Sequence, residues 1–427
     1  MDLFYINFKQ HKWIYLYYLV LHFICLSWTN TAMVAPPIVM RLGITMAVFL
    51  PLIKCFWLSP AVIILFVGLR LNSVAPFGYI PQTWLIYELC IIIIAIVHSL
   101  LYKKKYLFKF SNIQISLLVF IFIIDLINFK IFSPIFLFLI TLYILYNAIQ
   151  DKVSLNITML SSVILTITLS IYYFVFAKDF MEAYYGSDAE RAVWVDPNYF
   201  GILLGCGIII SGAYIFSAIK AKIGNFYKLI FVISIILGYI TIVLQASRGA
   251  VLAITGSLLI QILLSKTKLI YKILILLISV IGIIYLFNSG YFTLLVDRTL
   301  GDKTGSGRTE IWAMKFKDWI ENPINLLGCG YQSAFYEFQP LNFDCHNEFL
   351  SIVINYGVIG IIITLIAIIS LAIRKKEKSF IWSFLYFIGV AFMTLSPFTC
   401  QTGWTAVPLL MVVMFKYISL NSKIISN

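Results

Sequence analysis

Residues Phe349–Ile373 read FLSIVINYGVIGIIITLIAIISLAI, a run without a single charged side chain. A helix needs about 20 apolar residues to cross the ~30 Å hydrocarbon layer of a bilayer, so this run reads as a membrane span. It is bounded upstream by Asp344-Cys345-His346-Asn347-Glu348 and downstream by Arg374-Lys375-Lys376-Glu377-Lys378. The same alternation recurs along the chain. Trp13–Met40, Ile131–Gln150, Val153–Ala177, Tyr199–Ile219 and Leu229–Ser247 are also free of charge. Ser379–Phe415 is uncharged but too long for one span, and the polar, turn-forming stretch Pro397–Gly403 divides it. Composition agrees: of 427 residues 62% are hydrophobic and 11% charged, against about 45–50% and 25% in soluble domains. A soluble enzyme is excluded, and the chain reads as an all-α polytopic membrane protein forming a single integral domain over residues 1–427.

Placing helices between the charge clusters gives fourteen candidate spans, near residues 13–33, 36–56, 58–72, 84–102, 112–129, 131–149, 154–176, 198–219, 228–246, 249–265, 269–288, 347–373, 379–396 and 403–418. The third is short, and a count of twelve is the alternative. The first has no small-residue cleavage site behind it and reads as a retained helix. With the N-terminus inside, alternation puts Lys103-Lys104-Lys105, Lys220 with Lys222 and Lys228, Lys266 with Lys268 and Lys272, and the Arg374–Lys378 cluster all on the cytoplasmic face. This is the distribution that the positive-inside rule requires. The net charge of +13 therefore records orientation. Scattered lysines in short loops also lack the basic groove with stacking aromatics that nucleic acid needs, so no nucleic-acid partner is expected.

Two outer segments break the rhythm of short connections: Lys178–Asn198 and the longer Asn288–His346. Connections of this length are usually functional or disordered, and these are rich in aromatics and paired charges, so function is expected at this face. His22 and His98 fall in spans and read as packing residues, and His11 lies in the cytoplasmic tail. Only His346 reaches the outer face, where a general base and a helix-start residue are the two readings. Arg248, in the hinge Gln245-Ala246-Ser247-Arg248-Gly249-Ala250, either snorkels to lipid phosphate or binds an anion. Arg308, in Ser306-Gly307-Arg308-Thr309-Glu310-Ile311-Trp312, is a second candidate or a surface ion pair. Arg191 either binds an anionic substrate or pairs with Asp188 or Glu190, while Asp196-Pro197 reads as a helix cap. Cys329, Cys345 and Cys400 lie outside, as free thiols or with one disulfide between two of them. No metal-ligand spacing is present.

The order of these pieces is SRGA at a hinge, SGRTEIW after a span, then P-x-x-x-L-G-C-G-Y, then HNEFLSIVINYGVIG. It resembles the O-antigen ligase and polymerase superfamily, membrane enzymes that join or extend glycans carried on polyprenyl diphosphate. The likeness covers roughly residues 190–375. It implies a glycosyltransferase architecture of the GT-C-like kind, with residues 288–346 as the catalytic outer loop and 178–198 as an accessory one. Arg248 and Arg308 match the family's two outer arginines, thought to hold the diphosphate. His346 matches the histidine of its H-N-x-x-L motif, thought to deprotonate or position the attacking hydroxyl. Pro323, Gly328 and Gly330 match the preceding loop, and Gly357 and Gly360 match the glycines after it, where close helix packing is the expected role. Arg191, Asn198, Trp312, Tyr331 and Asn347 are the surrounding residues expected to bind diphosphate or glycan.

The chemistry suits these residue types. A guanidinium is permanently charged and grips phosphate oxygens through two parallel hydrogen bonds, so a diphosphate leaving group is stabilised without a metal. The expectation is inverting, metal-independent transfer by a polymerase with no cofactor, from an undecaprenyl-diphosphate-linked oligosaccharide to the non-reducing end of another. Transfer to lipid A-core by a ligase is the first alternative, and a lipid-linked oligosaccharide flippase the second. The resemblance places the protein in the bacterial inner membrane with both termini cytoplasmic and the site periplasmic. Membrane lipids and a chain-length regulator protein are the further expected partners.

Overall fold

The computed structural model describes residues 3–31, 38–67, 83–130, 134–185, 197–216, 225–245, 247–265, 267–270, 307–343, 345–373, 378–394 and 406–423, with isolated positions between 272 and 288. All regular elements among the described residues are helical. The candidate span at 269–288 and the residues Arg191, Asp196 and Cys400 lie largely or wholly outside them. The chain divides into two compact units, residues 1–165 with 404–427, and residues 166–403.

The first unit contains α1 (Leu3–Thr31), α2 (Ile38–Phe49), α3 (Ser59–Val67), α4 (Thr83–Tyr102), α5 (Asn112–Ile127), α6 (Pro134–Ala148), the start of α7 (Lys152–Tyr185) and, from the C-terminal end, α15 (Ala406–Lys423). Helix α6 packs against α3, α4, α5 and α15. The second and third expected spans form one bent pair: Leu42–Ile53 meets Phe56–Phe66 at 119°. Pro51 opens the short 3-10 turn at this corner, where proline's missing N–H ends regular helical bonding. Side chains take up carbonyls around the bend. Tyr18 donates its hydroxyl to Val48 O at 3.1 Å, His98 Nδ1 lies 2.7 Å from Ile53 O, and His22 Nδ1 lies 3.0 Å from Leu65 O. A carbonyl only accepts, so both imidazoles donate from Nδ1. His22 and His98 thus serve packing.

The second unit contains the rest of α7, then α8 (Pro197–Ile215), α9 (Asn225–Leu244), α10 (Arg248–Leu264), α11 (Arg308–Ile320), α12 (Ser333–Tyr336), α13 (Glu348–Ala372) and α14 (Lys378–Thr394). Helix α7 continues to Tyr185, so the first residues of the expected 178–198 loop are helical. Helices α8, α10 and α14 form the core because small residues let them approach closely. A Cβ on Gly205 would lie 2.8 Å from the Phe387 ring and 2.9 Å from Ile254, and one on Gly256 would enter the Tyr386 ring. Gln261, fully buried, clamps the trio by donating from Nε2 to Ile209 O at 3.0 Å and Ser383 Oγ at 2.9 Å.

Among the described residues three helices are long and apolar enough to cross a membrane, Lys152–Val175, Asn225–Leu244 and Glu348–Ala372, or four with the bent pair. Their outward faces are apolar. On α13, Ile359, Ile362, Ile366, Ile369 and Ile373 form an exposed stripe at helical spacing, larger than water tolerates and suited to lipid. The chain is a membrane protein.

Candidate functional site

The candidate catalytic residues stand at helix starts. Ser247 is the N-cap of α10 and Arg248 its first helical residue. Gly307, at φ 73°, caps α11, and Arg308 is its first residue. His346, at φ 47°, immediately precedes Asn347, the N-cap of α13. The N-terminal end of a helix carries partial positive charge, so a cation there is disfavoured unless an anion joins it. Arginines at the first position of α10 and α11 strengthen sites already suited to phosphate. His346 adopts a left-handed backbone that glycine or asparagine would occupy at lower cost, about 1–2 kcal/mol for a residue with a Cβ.

A continuous chain of contacts brings these starts to one end of the second unit. Ser247 donates its hydroxyl to Asn198 Oδ1 at 3.0 Å, joining the starts of α10 and α8. Gly249 sits against Thr394, where a Cβ would lie 2.9 Å from Thr394 Cγ2, so the first turn of α10 meets the last turn of α14. On that same last turn Phe392 packs edge-on against Phe349, with centroids 5.5 Å apart, which brings in the first turn of α13. Trp312, one turn beyond Arg308, donates its indole N–H to Cys345 O at 2.6 Å. The start of α11 is thereby fastened to the residue before His346. Arg248, Arg308 and His346 are all partly exposed within this layer.

Several residues expected to bind substrate also hold the layer together. Asn198 accepts from Ser247, Trp312 ties α11 to the histidine segment, and Asn347 accepts from Leu350 N at 3.1 Å as a helix cap. Tyr331 is buried, 7% exposed.

Beneath the layer, the loop before His346 is built into α13. Gly357 breaks that helix at φ 66° and ψ −166°, a conformation essentially reserved for glycine. The break leaves carbonyls of the preceding turn for other donors, and the loop supplies them: Cys329 N donates to Ile354 O at 3.1 Å and Gly330 N to Asn355 O at 2.8 Å. A Cβ on Gly328 would lie 2.8 Å from the Tyr356 backbone, and one on Gly357 would enter the Leu326 carbonyl. Gly357 therefore serves the approach of the loop backbone, where the sequence suggested helix packing. The atoms nearest a Cβ on Gly360 belong to Tyr356 and Ile352 of its own helix. Broken helices survive at membrane depth only where protein satisfies the freed groups, as happens here. Trp319, Cys329, Ala334, Phe338, Cys345 and Ile354 close a small apolar core over the break, and both cysteines are free thiols.

Two charged residues that the sequence reading passed over are fully buried here. Lys315 Nζ donates to Ala334 O at 2.6 Å, Phe338 O at 2.9 Å and Pro340 O at 3.0 Å, spending all three protons on one loop. Its signal was spacing: Arg308, Trp312, Lys315 and Trp319 share one face of α11 at intervals of four, three and four. Glu348, the first residue of α13, is the second, and a carboxylate suits that end of a helix. Replacing Lys315 by methionine keeps the stem but strands three carbonyls. It is expected to cost about 3 kcal/mol or more, measured as a lower unfolding temperature and faster proteolysis between residues 331 and 343.

The helices and this layer define a membrane protein with polar residues gathered at helix starts at one end of a bundle, an arginine standing first in each of α10 and α11. Residues 229–365, from α9 through His346 to the outward stripe of α13, match the family described as O-Antigen ligase. No curated protein and no solved structure matches the chain.

Proposed function

We propose that the protein is a glycosyltransferase that extends polyprenyl-diphosphate-linked glycans at the periplasmic face of a bacterial inner membrane. The observation that carries this reading is the contact chain gathering Arg248, Arg308 and His346 into one layer, within the stretch that matches the family. Arg248 and Arg308 hold the diphosphate of the donor. His346 takes the proton of the acceptor sugar hydroxyl as its oxygen attacks the anomeric carbon, and the carbon–oxygen bond to the diphosphate breaks on the opposite face with inversion. Charge growing on the leaving diphosphate meets guanidinium groups and helix dipoles already in place, the arrangement that lowers such barriers most.

Polymerase and ligase share this donor and differ in the acceptor. Purified protein given one lipid-linked repeat unit and no lipid A-core is expected to make longer glycans. Products that form only after lipid A-core is added would make it a ligase, and no product with either acceptor would overturn the transfer reading. Activity is expected to persist in excess chelator, because the arginines supply the positive charge. Loss that a divalent ion restores would refute the metal-free mechanism.

A further inference from the structure

Helix α11 has three faces. Trp312, Lys315 and Trp319 turn toward the loop they hold. Glu310, Lys317 and Glu321, at intervals of seven and four, form an exposed charged flank. Phe316 and Ile320, one turn apart, form a second exposed flank that is apolar. The 3-10 turn Pro323–Leu327 follows directly and adds Ile324, 71% exposed, and Leu327, 63% exposed. Apolar side chains gathered in this way mark a surface that something other than water covers.

The turn satisfies its polar groups from within. Ile324 N–H donates to Asn322 Oδ1 at 3.1 Å, Asn325 N–H to Asn322 O at 3.0 Å and Gly328 N–H to Asn325 O at 2.9 Å. Trp319 and Asn325 close a reciprocal pair: the indole N–H donates to Asn325 O at 3.0 Å, and the Asn325 amide to Trp319 O at 2.9 Å. Apolar side chains outside and hydrogen bonds inside are what non-helical backbone needs where water is scarce.

Position decides what covers this surface. The backbone of Leu326 and Leu327 lies against Gly357, where a Cβ would meet Leu326 O and the Leu327 carbonyl carbon. The next residues of α13, Val358 and Ile359, are exposed and lead into the apolar stripe of Ile362, Ile366 and Ile369. The turn is therefore continuous with the surface that α13 presents to lipid. Depth agrees with continuity. From Ile373, the last residue before the Arg374 cluster, a rise of about 1.5 Å per residue carries α13 to Val358 after about 22 Å. The hydrocarbon layer is ~30 Å thick, so Val358 and the turn beside it have not yet left the bilayer.

We infer that the Pro323–Leu327 turn and the Phe316–Ile320 flank of α11 form a membrane anchor set into the phospholipid leaflet on the side of the candidate site. The occupant is bulk phospholipid, with acyl chains against Ile324 and Leu327, as in helices that lie in the interface with one apolar side immersed. The inference stands on the fold alone and not on the transfer reading. Its consequence is that the loop bearing Arg308 rides on the near leaflet.

The test places the photoreactive residue p-benzoylphenylalanine in the full-length protein at Leu327 and, separately, at Ile324. Irradiation is carried out in native membranes and in nanodiscs of phosphatidylethanolamine and phosphatidylglycerol, and adducts are read by mass spectrometry. The same group at Ile362, on the stripe, and at Glu310, on the charged flank, sets the scale. Phospholipid adducts are expected at Leu327 and Ile324 in yields comparable to Ile362, with their loss at Glu310. Adducts to a second copy of the chain, to another protein or to a distant segment of this chain in place of phospholipid would overturn the anchor. Absence of lipid adducts at either position would do the same. Adducts that form only after polyprenyl diphosphate is added would make the surface a seat for that lipid's tail, and would overturn the anchor as well.

Discussion

Replacing His346 by alanine is expected to lower the rate of glycan transfer by about a hundred- to ten-thousand-fold, the range a positioned proton acceptor contributes. The fall should lie in kcat, with donor binding little changed, because the histidine is assigned to the acceptor hydroxyl and the diphosphate to Arg248 and Arg308. Stability should not fall. His346 holds a left-handed backbone at φ 47°, and the cap of α13 is supplied by Asn347 and not by the imidazole. His346→Gly is therefore the sharper companion, relieving backbone strain and removing the base together. A stable variant with unchanged turnover would return His346 to a helix-start residue. Paired arginine variants separate the roles further. Arg308→Lys keeps the charge but loses the bidentate fork, so a substantial loss is expected even there.

The second large effect is expected at Gly357. Alanine or valine at φ 66° and ψ −166° would be strained by about 1–3 kcal/mol before any clash, and its Cβ would enter the Leu326 carbonyl. The cheapest escape is for the loop to withdraw, which frees the carbonyls of Ile354 and Asn355 that Cys329 and Gly330 now satisfy. Glycan transfer should be abolished or nearly so. A polar maleimide should then label Cys329 and Cys345, which wild type keeps 9% and 1% exposed. Wild-type labelling rates in Gly357→Ala would refute the view that this glycine seats the loop.

The apolar helical character was legible in the sequence from the charge-free runs. The count of fourteen spans goes beyond the three helices, or four with the bent pair, that are long and apolar enough among the described residues, and α7 runs to Tyr185 where its span was expected to end at 176. Helix α10 starts at Arg248, one residue before the expected 249, and α13 at Glu348 against 347. Apolar content says nothing of direction, however. Pro51 falls inside the expected span 36–56, while in the fold it stands at a 119° corner whose carbonyls are caught by tyrosine and histidine from other helices. Arg248, Arg308 and His346 were visible as unusual residues at hinges, and their order carried the family resemblance. What joins them was not visible, because Phe392, Thr394 and Trp312 act through shape and one indole N–H. Lys315 was missed for a related reason: a lysine among tryptophans on a soluble-looking helix reads as surface until the loop that wraps its ammonium is seen. Gly357 was noticed and misread, since a glycine in an apolar helix serves close packing equally well in either arrangement.

The break at Gly357 also divides α13 mechanically. Residues 348–356 are bonded sideways to the 328–330 segment, and Trp312 holds Cys345 from the other side. His346 is thus fastened to the loop assembly, on a short helical pedestal that the Gly357 break sets apart from the lipid-facing shaft. Bilayer thickness and lateral pressure act on that shaft, so the proposed base is expected to feel them less than the lipid-facing residues do.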